Sequence, residues 1–303
     1  MPEEHIPESE VAFLREAAAY LESPSLLMKL ADVIGKPLQL VGKIVPAPVA
    51  ELTNTALRST MSLAISTIPS TSADQDPDQD FWETYRSSDW TGFWHRLATT
   101  LTGGAGGGFG LAALWLELPV TTGIMFRSIA AIAKDFGEDV RSPEILCQCL
   151  MVFSFGGPRT GNEAMESTYL TSRLAMGQLI NQAATFMATK SPEAIADALL
   201  SKGSAPALVE FINRVAAAFS LPVSEKFVAQ SIPIIGIATG AAINNAFTDY
   251  FNDVARFHFG MRQLGRRYGQ DLVDAEYRRQ LERIRELANR PNLIRQLTIS
   301  DSN

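Results

Sequence analysis

Cysteine is scarce, with only Cys147 and Cys149 in 303 residues. A disulfide framework is thereby excluded, which fits a reducing compartment. The two thiols stand two positions apart in what reads as a helix, where that spacing sends side chains to nearly opposite sides, so they are not expected to share a metal. Basic charge is short as well: 26 Lys and Arg against 33 Asp and Glu leave a net charge of -7 and a pI near 5.1. Phosphate recognition needs a basic field, so nucleic acid is excluded as a general partner, and anionic membrane surfaces are disfavoured for the chain as a whole. The opening residues MPEEHIPESEVAF lack the basic-then-apolar pattern of a secretory signal, and the expectation is a cytoplasmic protein. No alternation of β-branched residues with hairpin turn chemistry occurs, so the fold is expected to be all-α. Catalytic signatures are missing too: there is no G-x-S-x-G, no P-loop and no H-E-x-x-H.

What the sequence does have is apolar length and glycine. Apolar residues make up 46% of the chain and charged residues 19%, greasier than an ordinary cytosolic enzyme yet short of a polytopic membrane protein. From Leu97 to Leu116 run 20 uncharged residues, enough to span a bilayer as a helix, but six of them are glycines. In an ordinary helix each glycine costs about 1 kcal/mol against alanine, so that backbone is either not helical or very closely packed. A second run, Phe227 to Thr248, has 22 residues without a charge. Gly103 and Gly107 in the first run, and Gly236 and Gly240 in the second, have the small-xxx-small spacing that lets two helix backbones approach. The expectation is that the two segments are central and in mutual contact.

In chain order, residues 8–22 carry Val11, Leu14, Ala18 and Leu21 at helical spacing, and a longer helix is expected from Ala47 to Ile68. Residues 70–79 (STSADQDPDQ) read as a loop. Phe81, Trp82, Tyr85, Trp90, Phe93 and Trp94 form a dense aromatic set that suits either a protein core or a membrane interface. His95 has no ligand type at metal spacing beside it, and no metal site is expected. Pro119 is expected to start a helix carrying Arg127, with Glu117 at its N-terminus. Ser142-Pro143-Glu144 and Ser191-Pro192-Glu193 are two helix starts, each a cap, an N1 proline and a first-turn acid. Helices are expected over 162–189 and 204–219.

Beyond the second apolar run, Asn245, Asp249, Asn252 and Arg256 form one stripe, read as solvated. Asn244, Phe251, His258 and Arg262 line a half-apolar face whose polar groups must find partners. At the carboxy end, Leu272, Tyr277, Leu281, Ile284 and Leu287 keep helical spacing, and Gln280-Leu281-Glu282-Arg283 reads as a solvated face.

The stretches ELPVTTGIMFRSIAAIAKDFGEDV with PEILCQCLMVFSFGG, and EKFVAQSIPIIGIATGAAINNAFTDYFNDVARFHFGMRQLGRRYG, resemble the two signature regions of the EcsC family of bacterial proteins. The resemblance covers roughly residues 80–270 and rests on Glu117, Pro119, Thr121, Arg127, Gly137, Glu138, Asp139, Pro233, Gly236, Asn244, Ala255, His258, Phe259, Arg262 and Tyr268. The family takes its name from a gene neighbouring an ABC transporter, and the resemblance implies no reaction, cofactor or catalytic residue. It divides the chain into N-terminal helices and an acidic loop (1–79), a helical core (80–270) and a C-terminal helix and tail (271–303), joined as one globular unit.

Three functional readings follow. One is a membrane-associated or lipid-handling accessory protein, peripheral to the inner face of the cell membrane, with a lipid, an acyl chain or a transporter as partner. Another is an enzyme acting on a hydrophobic substrate through a polar cluster. The third is a soluble helical scaffold or oligomerising protein. The candidate cluster is Glu117, Thr121, Arg127, Asn244, His258 and Arg262, with Glu117 expected to accept a hydrogen bond from Arg127, His258 or Arg262.

Overall fold

In a computed structural model, the described residues are 5–22, 26, 30, 47–67, 110–156, 167–200, 205–230 and 237–288; the side chains at 47, 67, 110–117, 156, 200, 227–230 and 237–241 fall outside the description. The helices are α1 (Glu8–Leu21), α2 (Ala47–Thr67), α3 (Gly110–Asp135), α4 (Pro143–Met151) with a 3-10 turn at Val152–Gly156, and α5 (Thr168–Ala188). They continue with α6 (Pro192–Leu200), α7 (Pro206–Gln230), α8 (Ile237–Tyr268) and α9 (Gln270–Ala288). Among the described residues there is no strand, and the fold is all-α.

The axle of the molecule is short. Every residue of α4 from Ile145 to Met151 is buried, Cys147 and Cys149 included, so the opposite directions of the two thiols both point into core. A helix that is apolar all round is stable only when enclosed on all sides. Here α2, α3, α5 and α7 enclose α4, and the 3-10 turn that extends it meets α7 and α8. Where the turn meets those helices, Phe153 packs on Phe219 and Phe251 with ring centroids 4.7 and 5.4 Å apart, and Phe247 closes on Phe251 at 5.3 Å. One hydrophobic core runs from Ile6 to Leu281, so the N-terminal and C-terminal helices share it with the middle of the chain.

Helices α3 and α8, which carry the ends of the two glycine-rich runs, do pack on each other. The contact is polar at one point, where Ser128 Oγ donates to Asn252 Oδ1 at 2.8 Å, both side chains buried. Asn252 therefore belongs to the interior and not to a solvated stripe. Gly103, Gly107 and Gly236 lie outside the described residues, as do the 70–79 loop, the aromatic set 81–94 and His95, while Gly240 falls in the first turn of α8.

Prolines mislead at two places. Pro119 lies inside α3 and not at its start, so Glu117 belongs to the body of a helix. The helix expected over 204–219 runs on through Pro222 to Gln230. A proline inside a helix forgoes one backbone hydrogen bond and costs about 3 kcal/mol, which burial of the flanking apolar side chains offsets. Leu118, Met125, Phe126, Phe219 and Val223 are such neighbours, each at least 98% buried.

The carboxy-terminal helix also turns an unexpected face inward. Val273, Asp274, Glu276, Tyr277, Gln280 and Leu281 are buried, whereas Leu272 and Leu287 are exposed. Gln280 is interior because it accepts from Arg15 Nε of α1 at 3.0 Å and donates to Glu276 at 2.6 Å.

Helices α1 and α8 approach closely at Gly260. A Cβ added there would stand 2.5 Å from Cζ of Phe13, a ring that is 1% exposed and has no room to retreat. Gly260→Ala gains up to about 1 kcal/mol of helix propensity but overpacks this contact by roughly 1–3 kcal/mol. The expected result is a net loss in denaturant unfolding. Positive coupling with Phe13→Leu in a double-mutant cycle identifies the ring as the cause, and additive effects would remove it.

Candidate functional site

The turn from α3 to α4 organises the most polar region of the molecule. Gly137 closes α3 with φ +77°, the left-handed conformation that disfavours a side chain. Its N–H bonds to Lys134 O at 2.9 Å and that of Glu138 to Ala133 O at 3.0 Å, the paired bonds of a Schellman ending. Gly137→Ala would meet Arg266 at an ordinary 3.5 Å, so the expected loss of about 1–2 kcal/mol is backbone strain alone. Thermal unfolding measures it, and an unchanged melting temperature would contradict the assignment.

After Gly137 the segment shows two faces. Toward α8, Glu138 accepts from Arg262 Nε at 2.8 Å and from Arg266 Nη1 at 2.5 Å, and Glu144 accepts from Arg262 Nη2 at 3.2 Å. The Glu138 side chain is 6% exposed, and two guanidinium groups compensate its burial. One turn deeper, His258 is fully buried. Its Nδ1 lies 2.9 Å from the Tyr169 hydroxyl and its Nε2 3.2 Å from Gln148 Oε1. The consistent assignment has Tyr169 donating to Nδ1 and Nε2–H donating to Gln148. Burial, with Arg262 and Arg173 nearby, lowers the imidazole's pKa well below 6.5 and keeps it neutral. Burial pushes the Tyr169 phenol up to about 12. His258, Arg262 and Arg266 thus form one four-residue-spaced row on α8, running from the centre outward.

Of the predicted cluster, this row unites His258 and Arg262. Arg127 is exposed on α3, and Asn244 is half-buried, its carbonyl accepting from Thr248. Thr121 is buried, and its hydroxyl has no hydrogen-bond partner among the described residues. The Glu117 side chain lies outside the described residues. The partners that His258 and Arg262 use are Tyr169, Gln148, Glu138 and Glu144, of which only Glu138 was legible as a motif position. Both nitrogens of His258 are engaged and no part of its ring reaches solvent, so the imidazole ties α4, α5 and α8 together and is not exposed to a substrate. Among the described residues no three of His, Cys, Asp and Glu converge as a metal site.

A second buried constellation escaped sequence reading. Glu22, at the end of α1, accepts from Ser167 Oγ at 2.5 Å and from the N–H groups of Thr168 and Tyr169 at 3.2 Å each, with the Tyr277 hydroxyl at 3.4 Å. Ser167 itself caps α5 by accepting from Leu170 N at 3.0 Å. Alongside it, Arg173 pairs with Asp274, which also accepts from Gln270 at 2.8 Å.

The other face of the α3–α4 turn borders a cleft of about 440 Å3. Leu146, Met187, Ile195, Ile65, Ala64 and two prolines give it an apolar lining, and Asp139, Arg141, Ser142 and Lys190 supply the polar part. Arg141 grips Asp139 through Nε at 2.8 Å and Nη2 at 3.2 Å, and its own N–H adds a bond at 3.1 Å. That grip lowers the Asp139 carboxyl's pKa. Ser142 heads α4, though its hydroxyl makes no capping bond. None of Thr121, Arg127, Asn244, His258 and Arg262 borders this cleft, because they sit on α3 and α8 whereas the cleft forms between α2, the α3–α4 turn, the end of α5 and the start of α6.

No curated protein and no solved structure matches the chain. The EcsC protein family model matches residues 14–264, beginning within α1 and so extending well before the two signature regions. The chain belongs to the EcsC protein family.

Proposed function

We propose that this protein is a lipid-handling accessory protein, peripheral to the inner face of the cell membrane, that takes a single acyl chain into the α2/α4/α5/α6 cleft. The observation that carries this reading is the cleft itself. Its volume of about 440 Å3 falls within the range of roughly 300–1,000 Å3 typical of small-molecule sites. Its lining is divided between an apolar wall of Leu146, Met187, Ile195 and Ile65 and polar groups from the α3–α4 turn and Lys190, which suits a chain with a polar end. An enzymatic reading has less support, since the buried His258 network stands apart from any opening. Among the described residues one helix, Pro206–Lys226, is long and apolar enough to cross a membrane, and half of its apolar window is buried inside the fold. A peripheral attachment therefore agrees better with the fold than a spanning one.

Native mass spectrometry and lipid extraction of the purified protein test the reading. One acyl-chain ligand per chain is expected, displaced by Ile65→Trp, which fills the cleft from α2, without loss of helicity. A protein that retains no chain and binds no 16-carbon probe would end the proposal. The transporter link rests on the family's gene neighbourhood, and co-purification with a transporter tests it separately.

A further inference from the structure

We infer that the cleft selects a single-chain amphiphile with an anionic head, a carboxylate or phosphate monoester, held by Lys190 together with Arg141; this rests on the acyl-chain reading above. The charges along the lining are Asp139, Arg141 and Lys190. Asp139 and Arg141 neutralise each other through a two-pronged contact, with nitrogen–oxygen distances of 2.8 and 3.2 Å. The pair leaves the guanidinium fixed in place and removes the acid as an anchor for a cationic head. Lys190 has no carboxylate partner among the described residues. The nearby Glu193 is not part of the lining, and its carboxylate is engaged by its own backbone N–H and by Ser191. The uncompensated charge of the cleft is therefore positive, beside walls formed by Leu146, Met187 and Ile195.

A chain entering along those aliphatic walls brings its head to the turn that carries Arg141 and to Lys190 at the end of α5. An ammonium or choline head would meet net positive charge there, and an uncharged head would leave Lys190 with water alone. A carboxylate or phosphate accepts hydrogen bonds from the ammonium and faces a guanidinium whose orientation Asp139 has already set, so little ordering remains to be done on binding. The chain supplies most of the affinity, and the head supplies the discrimination.

The test compares three probes on the full chain by calorimetry: palmitate, hexadecanol as an uncharged chain of the same length, and inorganic phosphate. Palmitate is expected to bind at least about fivefold tighter than hexadecanol at low salt, with the margin shrinking as salt is raised. Lys190→Gln and Lys190→Glu should remove that margin while leaving hexadecanol binding and the melting temperature unchanged, because Lys190 is exposed and makes no side-chain bond among the described residues. A lysophosphatidic acid arm then distinguishes a phosphate head from a carboxylate. Equal binding of palmitate and hexadecanol overturns head selection and leaves the acyl-chain reading standing. Binding of neither overturns that reading and this inference together. Binding of inorganic phosphate alone, with no chain-bearing probe competing for it, would make the cleft a plain anion site and overturn both.

Discussion

Glu22→Ala is expected to destabilise the protein by about 3 kcal/mol in denaturant unfolding. The carboxylate is 4% exposed and accepts from the Ser167 hydroxyl and from the first two N–H groups of α5. Together with Ser167, which takes the third, it satisfies donors that an isolated helix leaves without partners. Alanine removes the acceptor without opening a path for water. Each buried donor left unpaired costs about 1–3 kcal/mol, and the favourable placement of negative charge at a helix N-terminus is lost as well. Glu22→Gln keeps one acceptor oxygen but introduces an N–H2 among donors, so an intermediate loss is expected. For a chain of this size about 1 kcal/mol moves the melting temperature by roughly 2–4 °C, so the alanine variant should melt several degrees early. A variant within 0.5 °C of the parent would show that Glu22 does not hold α1, α5 and α9 together.

Glu22 also shows why part of this molecule could not be read in advance. It sits after an ordinary amphipathic helix, beside Pro24, and its partner Ser167 is 145 positions away. No local period carries that information. The same holds for Asp274, Glu276 and Gln280, whose mixture of acids with arginines matches a solvated helix face, yet which are buried against α1 and α5. Local chemistry was informative where it acts locally. Ser142-Pro143 and Ser191-Pro192 mark the starts of α4 and α6. It failed where burial overrides propensity, at Pro119 and Pro222. The cleft was invisible for a topological reason, since its walls come from residues 64–65, 139–146 and 187–195, three stretches that no spacing rule relates.

Acidification from pH 6.5 to 5 should reveal two groups that act in opposite directions, the buried His258 and the half-buried Glu225. His258 is held neutral by burial and by Arg262 and Arg173, with its pKa well below 6.5. The unfolded chain takes up this proton as pH falls through 6.5 and the folded one does not, so His258 removes up to about 1.4 kcal/mol of stability per pH unit below that point. Protonation in the fold would require Nδ1 to donate toward the Tyr169 hydroxyl, which now donates to it across 2.9 Å. Glu225 has the reverse sign. Burial pushes its carboxyl from 4.5 up to about 7, so the folded state binds the proton first, and lowering the pH from 7 toward 4.5 restores stability that the buried charge removes at higher pH. The expected outcome is a shallow pH dependence in the parent and two divergent variants. His258→Gln should flatten or reverse the acid loss, and Glu225→Gln should steepen it, each compared by urea midpoint at pH 7, 6 and 5. Equal differences from the parent at all three values would mean that neither group titrates between the folded and unfolded states as its surroundings require.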